Sequence, residues 1–107
     1  MSTLTARTAE TDAPIIDVLA ERWSTRIFDR ESVIDEAALA SALEAARWTP
    51  TAANTQAWRV IVARRGSAAH ATVLGSLAGF NSAWAGDAAA LVVFVAETTR
   101  DGEPMRW

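Results

Sequence analysis

Two apolar segments constrain the fold more than any other feature of this chain. Residues 58–63 and 91–95 are rich in β-branched and apolar side chains, a pattern typical of short strands that are buried on both faces. Strands of this kind lie inside a sheet, where each needs a hydrogen-bonded neighbour at both edges. Two such strands cannot meet that requirement alone. We therefore expect the missing neighbours to come from more chain or from a partner subunit.

The amino-terminal residues have no apolar periodicity. We interpret residues 1–13 as a mobile tail and residues 14–107 as one domain at most, since the chain has only 107 residues. Asp12 can cap a first helix, with Pro14 in its first turn, and this helix is predicted to run to about Arg22.

Two further helices are predicted from capping and spacing. Asp35 can cap a second helix whose apolar residues recur on one face. This helix must end near Trp48 or the threonine after it, because Pro50 disfavours helix at the residue before it. Ser67 can cap a third helix that runs to about Gly79. The last ten residues carry no clear pattern.

Composition excludes several classes of function. The net charge of −3 and the pI near 5.0 argue against a nucleic-acid-binding surface. The chain has no Cys and one His, which argues against disulfides, Cys nucleophiles and zinc sites. The longest apolar run, residues 88–96, is far shorter than a membrane helix needs, and the first dozen residues are not a secretory signal. A cytoplasmic protein with no metal, membrane or nucleic-acid partner is expected.

Three segments contain residues that suit ligand binding. The first follows the predicted end of helix one, where Arg22, Ser24 and Arg26 could hold a phosphate through guanidinium forks and a hydroxyl. The alternative is that both arginines are solvated charges favoured by the helix dipole, and the segment taken alone favours that alternative.

The second segment, residues 49–58, is rich in small and amide side chains. Such a loop lets a ligand ring approach the backbone, and Asn54 and Gln56 could bond the edge of a polar heterocycle. An ordinary helix-to-strand connection is an equally good interpretation. In the third segment Asn81 could reach a ligand amide, or it could simply form a turn after Gly79. No pair of carboxylates stands out as acid and base.

Together the three segments resemble the nitroreductase family. Its Arg-x-Ser-x-Arg/Lys signature is matched at residues 22–26, and its Pro-Ser-x-x-Asn-x-Gln-Pro-Trp motif is matched at residues 50–58. An Asn-x-x-Trp element found in part of the family is matched at residues 81–84. Thr51 and Ala57 stand where the family usually has Ser and Pro.

The resemblance implies an α+β, three-layer fold with a mixed central sheet flanked by helices. Family members are nearly twice as long, so the fold would be incomplete in this chain. Residues 14–107 would be the amino-terminal part of a nitroreductase-like domain. In the family, two chains build each flavin site, which implies a homodimer with FMN at the interface. The residues that the resemblance assigns to FMN are Arg22, Ser24, Arg26, Pro50, Thr51, Ala52, Asn54 and Asn81.

The resemblance also implies the chemistry. Hydride passes from NAD(P)H through the flavin to a small electron acceptor such as a nitroaromatic or a quinone, and no protein residue need act as a catalytic acid or base. Two alternatives remain open. One is a truncated, non-catalytic fragment that acts only in dimerisation. The other is a flavin enzyme of the same fold with another reaction, dehalogenation or flavin fragmentation.

Overall fold

The computed structural model describes residues 7–105 of the chain. Its helices are α1 (Asp17–Glu21), α2 (Glu36–Arg47), α3 (Ala68–Gly75) and α4 (Asn81–Ala85). Its strands are β1 (Trp58–Arg64), β2 (Ala90–Ala96), β3 (Thr99–Arg100) and β4 (Glu103–Pro104). The α+β class that was expected is confirmed.

The two long strands form one antiparallel pair. Trp58 lies opposite Ala96 and Arg64 lies opposite Ala90, with the strands in register between these ends. Within residues 7–105 neither strand has a second partner, so each keeps one open edge. As the sequence analysis expected, the described part of the chain does not provide a neighbouring strand at both edges of β1 and β2.

The prediction that both strands are covered on both faces is wrong for residues 7–105 taken alone. The side chains of Ile61 and Phe94 are 44% and 57% exposed. The buried apolar residues of the described chain are all alanines, and no large side chain is fully buried among them. α3 packs against β1 and β2, but four short helices cannot cover both faces of the pair. The apolar composition of the strands therefore exceeds what this chain covers.

The described residues are also more extended than a compact domain. Their radius of gyration is 17.3 Å, whereas a compact chain of about 100 residues has a value of about 13 Å. Since so few side chains are buried, hydrophobic burial within these residues supplies little stabilisation. Further apolar contacts must be made elsewhere if the fold is to be stable.

The predicted caps of the second and third helices are confirmed. The Asp35 carboxylate accepts a hydrogen bond of 3.1 Å from the Ala38 amide at the start of α2. The Ser67 hydroxyl accepts one of 3.1 Å from the His70 amide at the start of α3. α2 ends at Arg47, as the following proline motif predicts.

Two helix boundaries were predicted wrongly. α1 begins after Ile16, which is extended with ψ 148°, so Asp12 does not cap it. The apolar side chains of this segment are largely exposed within residues 7–105, so packing does little to lengthen the helix beyond five residues. α3 ends at Gly75 rather than near Gly79, because glycine is a poor helix former and the helix is capped at the next residue.

Two elements were missed by the sequence pattern. α4 is a five-residue helix, too short for its periodicity to be recognised. The β3–β4 hairpin turns at Asp101 and Gly102, whose φ values of 52° and 80° place both in the left-handed region. An Asp-Gly pair with that backbone is the preferred two-residue hairpin turn.

Polar contacts join the helical part to the sheet. The Arg64 guanidinium at the end of β1 donates two hydrogen bonds of 2.7 Å to the Glu36 carboxylate of α2. Arg65 donates one of 2.8 Å to the Asp87 carbonyl. This bidentate ion pair joins two residues that are 28 positions apart in sequence, and it holds the start of α2 beside the end of β1.

The predicted mobile tail is only partly described. Residues 1–6 lie outside the described residues, and residues 7–13 contain no helix or strand. The Ala9 amide donates a hydrogen bond of 2.8 Å to the Ala20 carbonyl, and the Arg7 guanidinium lies 4.4 Å from the centre of the Trp23 ring. The mobility of the tail stays a prediction.

A single carboxylate organises the end of α2. Glu44 accepts hydrogen bonds of 3.0 and 2.7 Å from the Arg47 guanidinium and one of 2.8 Å from the Trp48 indole. These bonds, first from Arg47 and then from Trp48, lower the pKa of Glu44 from 4.5 to about 2. A carboxyl whose pKa is lower in the folded chain stabilises the fold most above its unfolded pKa.

We therefore expect Glu44→Gln to reduce the free energy of unfolding at pH 6. The reduction should shrink as the pH falls from 4.5 towards 2, because the wild-type carboxylate becomes protonated in that window and loses its stabilising effect. Urea unfolding at several pH values, followed by far-UV circular dichroism, measures this difference. Glu31→Gln, which removes another carboxylate on the exposed surface, is the control. A difference that does not vary with pH would contradict the assignment.

Candidate functional site

The segment between α2 and β1 has an unusual backbone. Ala53, Asn54 and Gln56 have φ values of 50°, 53° and 51°, in the left-handed region that residues with a Cβ rarely adopt. Each such residue costs about 1–3 kcal/mol and persists only when its surroundings hold it. We call residues 51–56 the left-handed loop. Its strain marks it as a candidate binding segment.

Side-chain hydrogen bonds hold the left-handed loop from within. The Thr51 hydroxyl accepts a hydrogen bond of 3.2 Å from the Gln56 amide, which closes the loop across its base. The Gln56 side chain donates to the Asn54 side chain and accepts a bond of 2.9 Å from the Trp58 indole. The amide side chains of Asn54 and Gln56 therefore bond each other, and their contact with a ligand stays a prediction.

The two larger cavities beside this loop are lined by several of the predicted residues. One has a volume of about 590 Å³, and the other, of about 430 Å³, is lined by Thr51, Ala52, Ala57, Trp58 and Ala96. The larger one is lined by Arg47, Trp48, Thr49, Pro50, Asn54, Gln56, Trp58 and Arg59. Both volumes are in the range of small-molecule sites. Of the predicted residues, Pro50 and Asn54 thus face one cavity, and Thr51 and Ala52 face the other.

The larger cavity includes residues that the sequence analysis did not propose. Arg47 lies 5.0 Å from the centre of the Trp48 ring, and Arg59 forms a 3.6 Å ion pair with Glu97. The position of Arg47 and Trp48, immediately before the matched proline motif, was the available signal. Arg59 had no such signal, because it lies in a strand and its partner is distant in sequence.

The arginine segment is exposed and extended. Arg22 follows α1 with ψ 139°, and its guanidinium lies 3.5 Å from the Ser24 hydroxyl, to which it donates. Among residues 7–105, neither Arg22 nor Arg26 is within ion-pair distance of a carboxylate. Within the described chain the guanidiniums are therefore not paired with a carboxylate. This leaves their positive charge available to an anion.

Asn81 lies in a third cavity. It is the first residue of α4, and its side-chain amide donates a hydrogen bond of 3.1 Å to the Ala78 carbonyl. The cavity, of about 370 Å³, is also lined by Phe28 and Trp84, whose rings stack with centroids 6.2 Å apart. The Trp84 indole nitrogen is buried and has no hydrogen-bond partner in the described chain. Its N–H is thus a donor without an acceptor.

The predicted site residues do not form one continuous surface in this chain. Pro50, Thr51, Ala52 and Asn54 lie together in one loop, while Asn81 lines a different cavity. Arg22, Ser24 and Arg26 line none of these three cavities. The residues assigned to FMN by resemblance therefore fall into three separate groups.

Residues 7–105 contain no cluster of three or more His, Asp or Glu side chains that could hold a metal ion. In the same residues no helix has both the length and the apolar character required to cross a membrane.

This chain is similar in structure to an oxidoreductase that contains FMN. The crystal structure of that protein matches the chain with a TM-score of 0.81 and 27% sequence identity. The match covers 96% of this chain and 54% of that one, so this chain spans about half the length of its structural relative. Among curated proteins none matches the sequence.

The family model described as "Nitroreductase family" matches residues 19–103. This range includes all three motifs on which the resemblance was based, and the structural match confirms the expected fold, of which the chain spans a part. The chain belongs to the nitroreductase family.

Proposed function

We propose that this chain is part of an FMN-dependent oxidoreductase. The observation that carries the proposal is its structural likeness, over 96% of its length, to an oxidoreductase that contains FMN. We further propose NAD(P)H as the reductant and a nitroaromatic, a quinone or a similar small molecule as the electron acceptor. The cytoplasmic location inferred from the sequence stays a prediction.

The arginine segment is proposed to hold the FMN phosphate and the adjoining flavin edge. Arg22 and Ser24 present a guanidinium and a hydroxyl within 3.5 Å of each other, a donor pair suited to phosphate oxygens. Arg26 would lie near the pyrimidine edge of the flavin, where its charge would favour an anionic ring. The lack of ion pairs at both arginines within residues 7–105 supports this role, because no carboxylate there has to be displaced.

The left-handed loop is proposed to lie against FMN bound mainly by the partner subunit. Ala52 and Ala53 carry small side chains, so a ring could approach the backbone closely. The Thr55 hydroxyl is buried without a hydrogen-bond partner in the described chain, as is the Trp84 indole nitrogen near Asn81. Unsatisfied polar atoms of this kind fit a site completed by a polar ligand.

Asn81 is proposed to bond the carbonyl and imide edge of the flavin. Its amide nitrogen already donates to the Ala78 carbonyl, which fixes the side chain and leaves its oxygen as an acceptor for the imide and its second N–H as a donor for the carbonyl. When bound, FMN would supply the hydride and electron transfer chemistry. The role of this chain is then to bind and orient, and we assign no residue as a catalytic acid or base.

A homodimer with the flavin at its interface is part of the proposal. α1 and the residues before it expose a set of large apolar side chains, among which Ile16 and Val18 are 68% and 74% exposed. Exposed apolar surface of this extent is typical of contact sites rather than of the surface of a monomer. Dimerisation without flavin, the alternative from the sequence, would use the same surface.

Arg22→Ala and Arg26→Ala should each weaken FMN binding by about 1.5–3 kcal/mol, the contribution of one charged hydrogen-bonding partner. Titration of FMN with protein, followed by quenching of flavin fluorescence, measures the affinity. Arg30→Ala is the matched control, because Arg30 is exposed and its 3.8 Å ion pair with Asp87 lies outside the proposed site. Equal affinity in all variants would show that these guanidiniums do not contact FMN. No binding by the wild-type chain would favour the fragment without flavin.

The double substitution Ile16→Asp and Val18→Asp should shift the chain from dimer to monomer. Two carboxylates would have to be desolvated in an apolar interface, which is strongly unfavourable. Sedimentation equilibrium gives the mass of each variant. Thr72→Asp adds a charge on the exposed side of α3 and should leave the mass unchanged. A wild-type chain that sediments as a monomer with FMN present would refute the dimer.

A further inference from the structure

A guanidinium from the β3–β4 hairpin reaches the left-handed loop. Arg100, in β3, donates a hydrogen bond of 2.9 Å to the carbonyl of Thr55, which is 45 residues away in sequence. The same guanidinium donates bonds of 2.8 and 2.9 Å to the two oxygens of the Glu97 carboxylate. Arg100 therefore links the Glu97 carboxylate to the Thr55 carbonyl of the left-handed loop.

The carboxylate in this arrangement is itself held in place. The Glu97 amide donates a hydrogen bond of 2.8 Å to the Ala57 carbonyl, directly after the loop, which continues the pairing of β1 and β2. Its carboxylate also lies 3.6 Å from the Arg59 guanidinium. The hydrogen bond from Arg100, with a smaller effect from Arg59, lowers the pKa of Glu97, so the pair stays ionised at neutral pH.

The carbonyl that Arg100 binds belongs to a residue that lies between two left-handed neighbours. Thr55 is right-handed, with φ −68° and ψ −19°, while its two neighbours, Asn54 and Gln56, are both left-handed. This alternation is unfavourable for residues that have a Cβ, so the loop depends on its hydrogen bonds to persist. Most of those bonds are made within the segment 51–58, whereas the bond from Arg100 comes from another element.

We propose that Arg100 is a positioning residue that holds the left-handed loop in the conformation it presents to FMN. The part of this inference that concerns FMN rests on the proposed function. The planar fork of arginine suits the task, because it can bind the carboxylate with one edge and still direct a donor at the carbonyl. A lysine ammonium is a point charge and cannot reproduce both contacts with the same geometry.

The order of the loop can be measured without FMN. The Gln56 backbone amide donates a hydrogen bond within the loop, and the Trp58 indole N–H donates one to the Gln56 side chain, so the hydrogen exchange of both groups reports on the loop and can be followed by NMR. In Arg100→Ala we expect exchange at both positions to be about tenfold faster, as for the loss of one hydrogen bond. Arg100→Lys should give a smaller increase. Arg30→Ala, which removes an exposed arginine elsewhere, should leave both rates unchanged.

FMN affinity provides the second measurement on the same variants. Arg100→Ala should bind FMN about tenfold more weakly, with Arg100→Lys between it and the wild type. Unchanged amide shifts in β1 and β2 show that a variant is folded. If Arg100→Ala fails that test, Arg100→Lys decides the question through the same two measurements.

The outcomes separate the inference from the proposed function. Unchanged exchange in the folded variants overturns the positioning role, whether or not FMN binds. Faster exchange with unchanged FMN affinity overturns it as well, because the conformation held by Arg100 would then not be the one that FMN requires. A wild-type chain with no affinity for FMN overturns the proposed function and the FMN part of the inference. The exchange rates then still decide whether Arg100 orders the loop.

Discussion

The antiparallel register of β1 and β2 is the constraint on which the rest of the structure depends. Because Trp58 lies opposite Ala96, the left-handed loop before β1 and the hairpin after β2 leave the sheet at the same end. A shift of one residue would turn every side chain of a strand to the other face. It would also remove the hydrogen bond between Glu97 and Ala57, and with it the approach of Arg100 to the loop. The approach of Arg100 to the left-handed loop is thus a consequence of strand pairing.

This pairing is supported by little buried surface within residues 7–105. The buried apolar side chains are alanines, and large residues such as Phe94 and Ile27 are more than half exposed. Polar forks such as that between Arg64 and Glu36 fix relative positions, but exposed ion pairs contribute little stability. Burial of the exposed apolar surface of α1 and of the sheet would therefore stabilise the chain most. The proposed homodimer would cover part of such a surface.

The sequence predicted which segments contribute to the candidate site, but it did not predict their geometry. The three motifs were located by their order and spacing, and the family model confirms the family that they indicated. The geometry of the site was not predictable in the same way. Nothing in the residue Ala53 favours a left-handed backbone, and no local pattern predicts that the side chains of Asn54 and Gln56 bond each other. Arg59 pairs with Glu97 and Arg100 reaches the Thr55 carbonyl, and in both cases the partner lies far away in sequence.

The sequence by itself determined the local features. Asp35 and Ser67 cap their helices because the groups they bond are only three residues away, and β1 follows from its β-branched side chains. Only the tertiary structure decided which faces are covered, how the loop is held and which arginine reaches it. These features require contacts between residues that the chain brings together by folding, such as Thr55 and Arg100. Local propensity carries no information about such contacts, because they follow from the register of the strands.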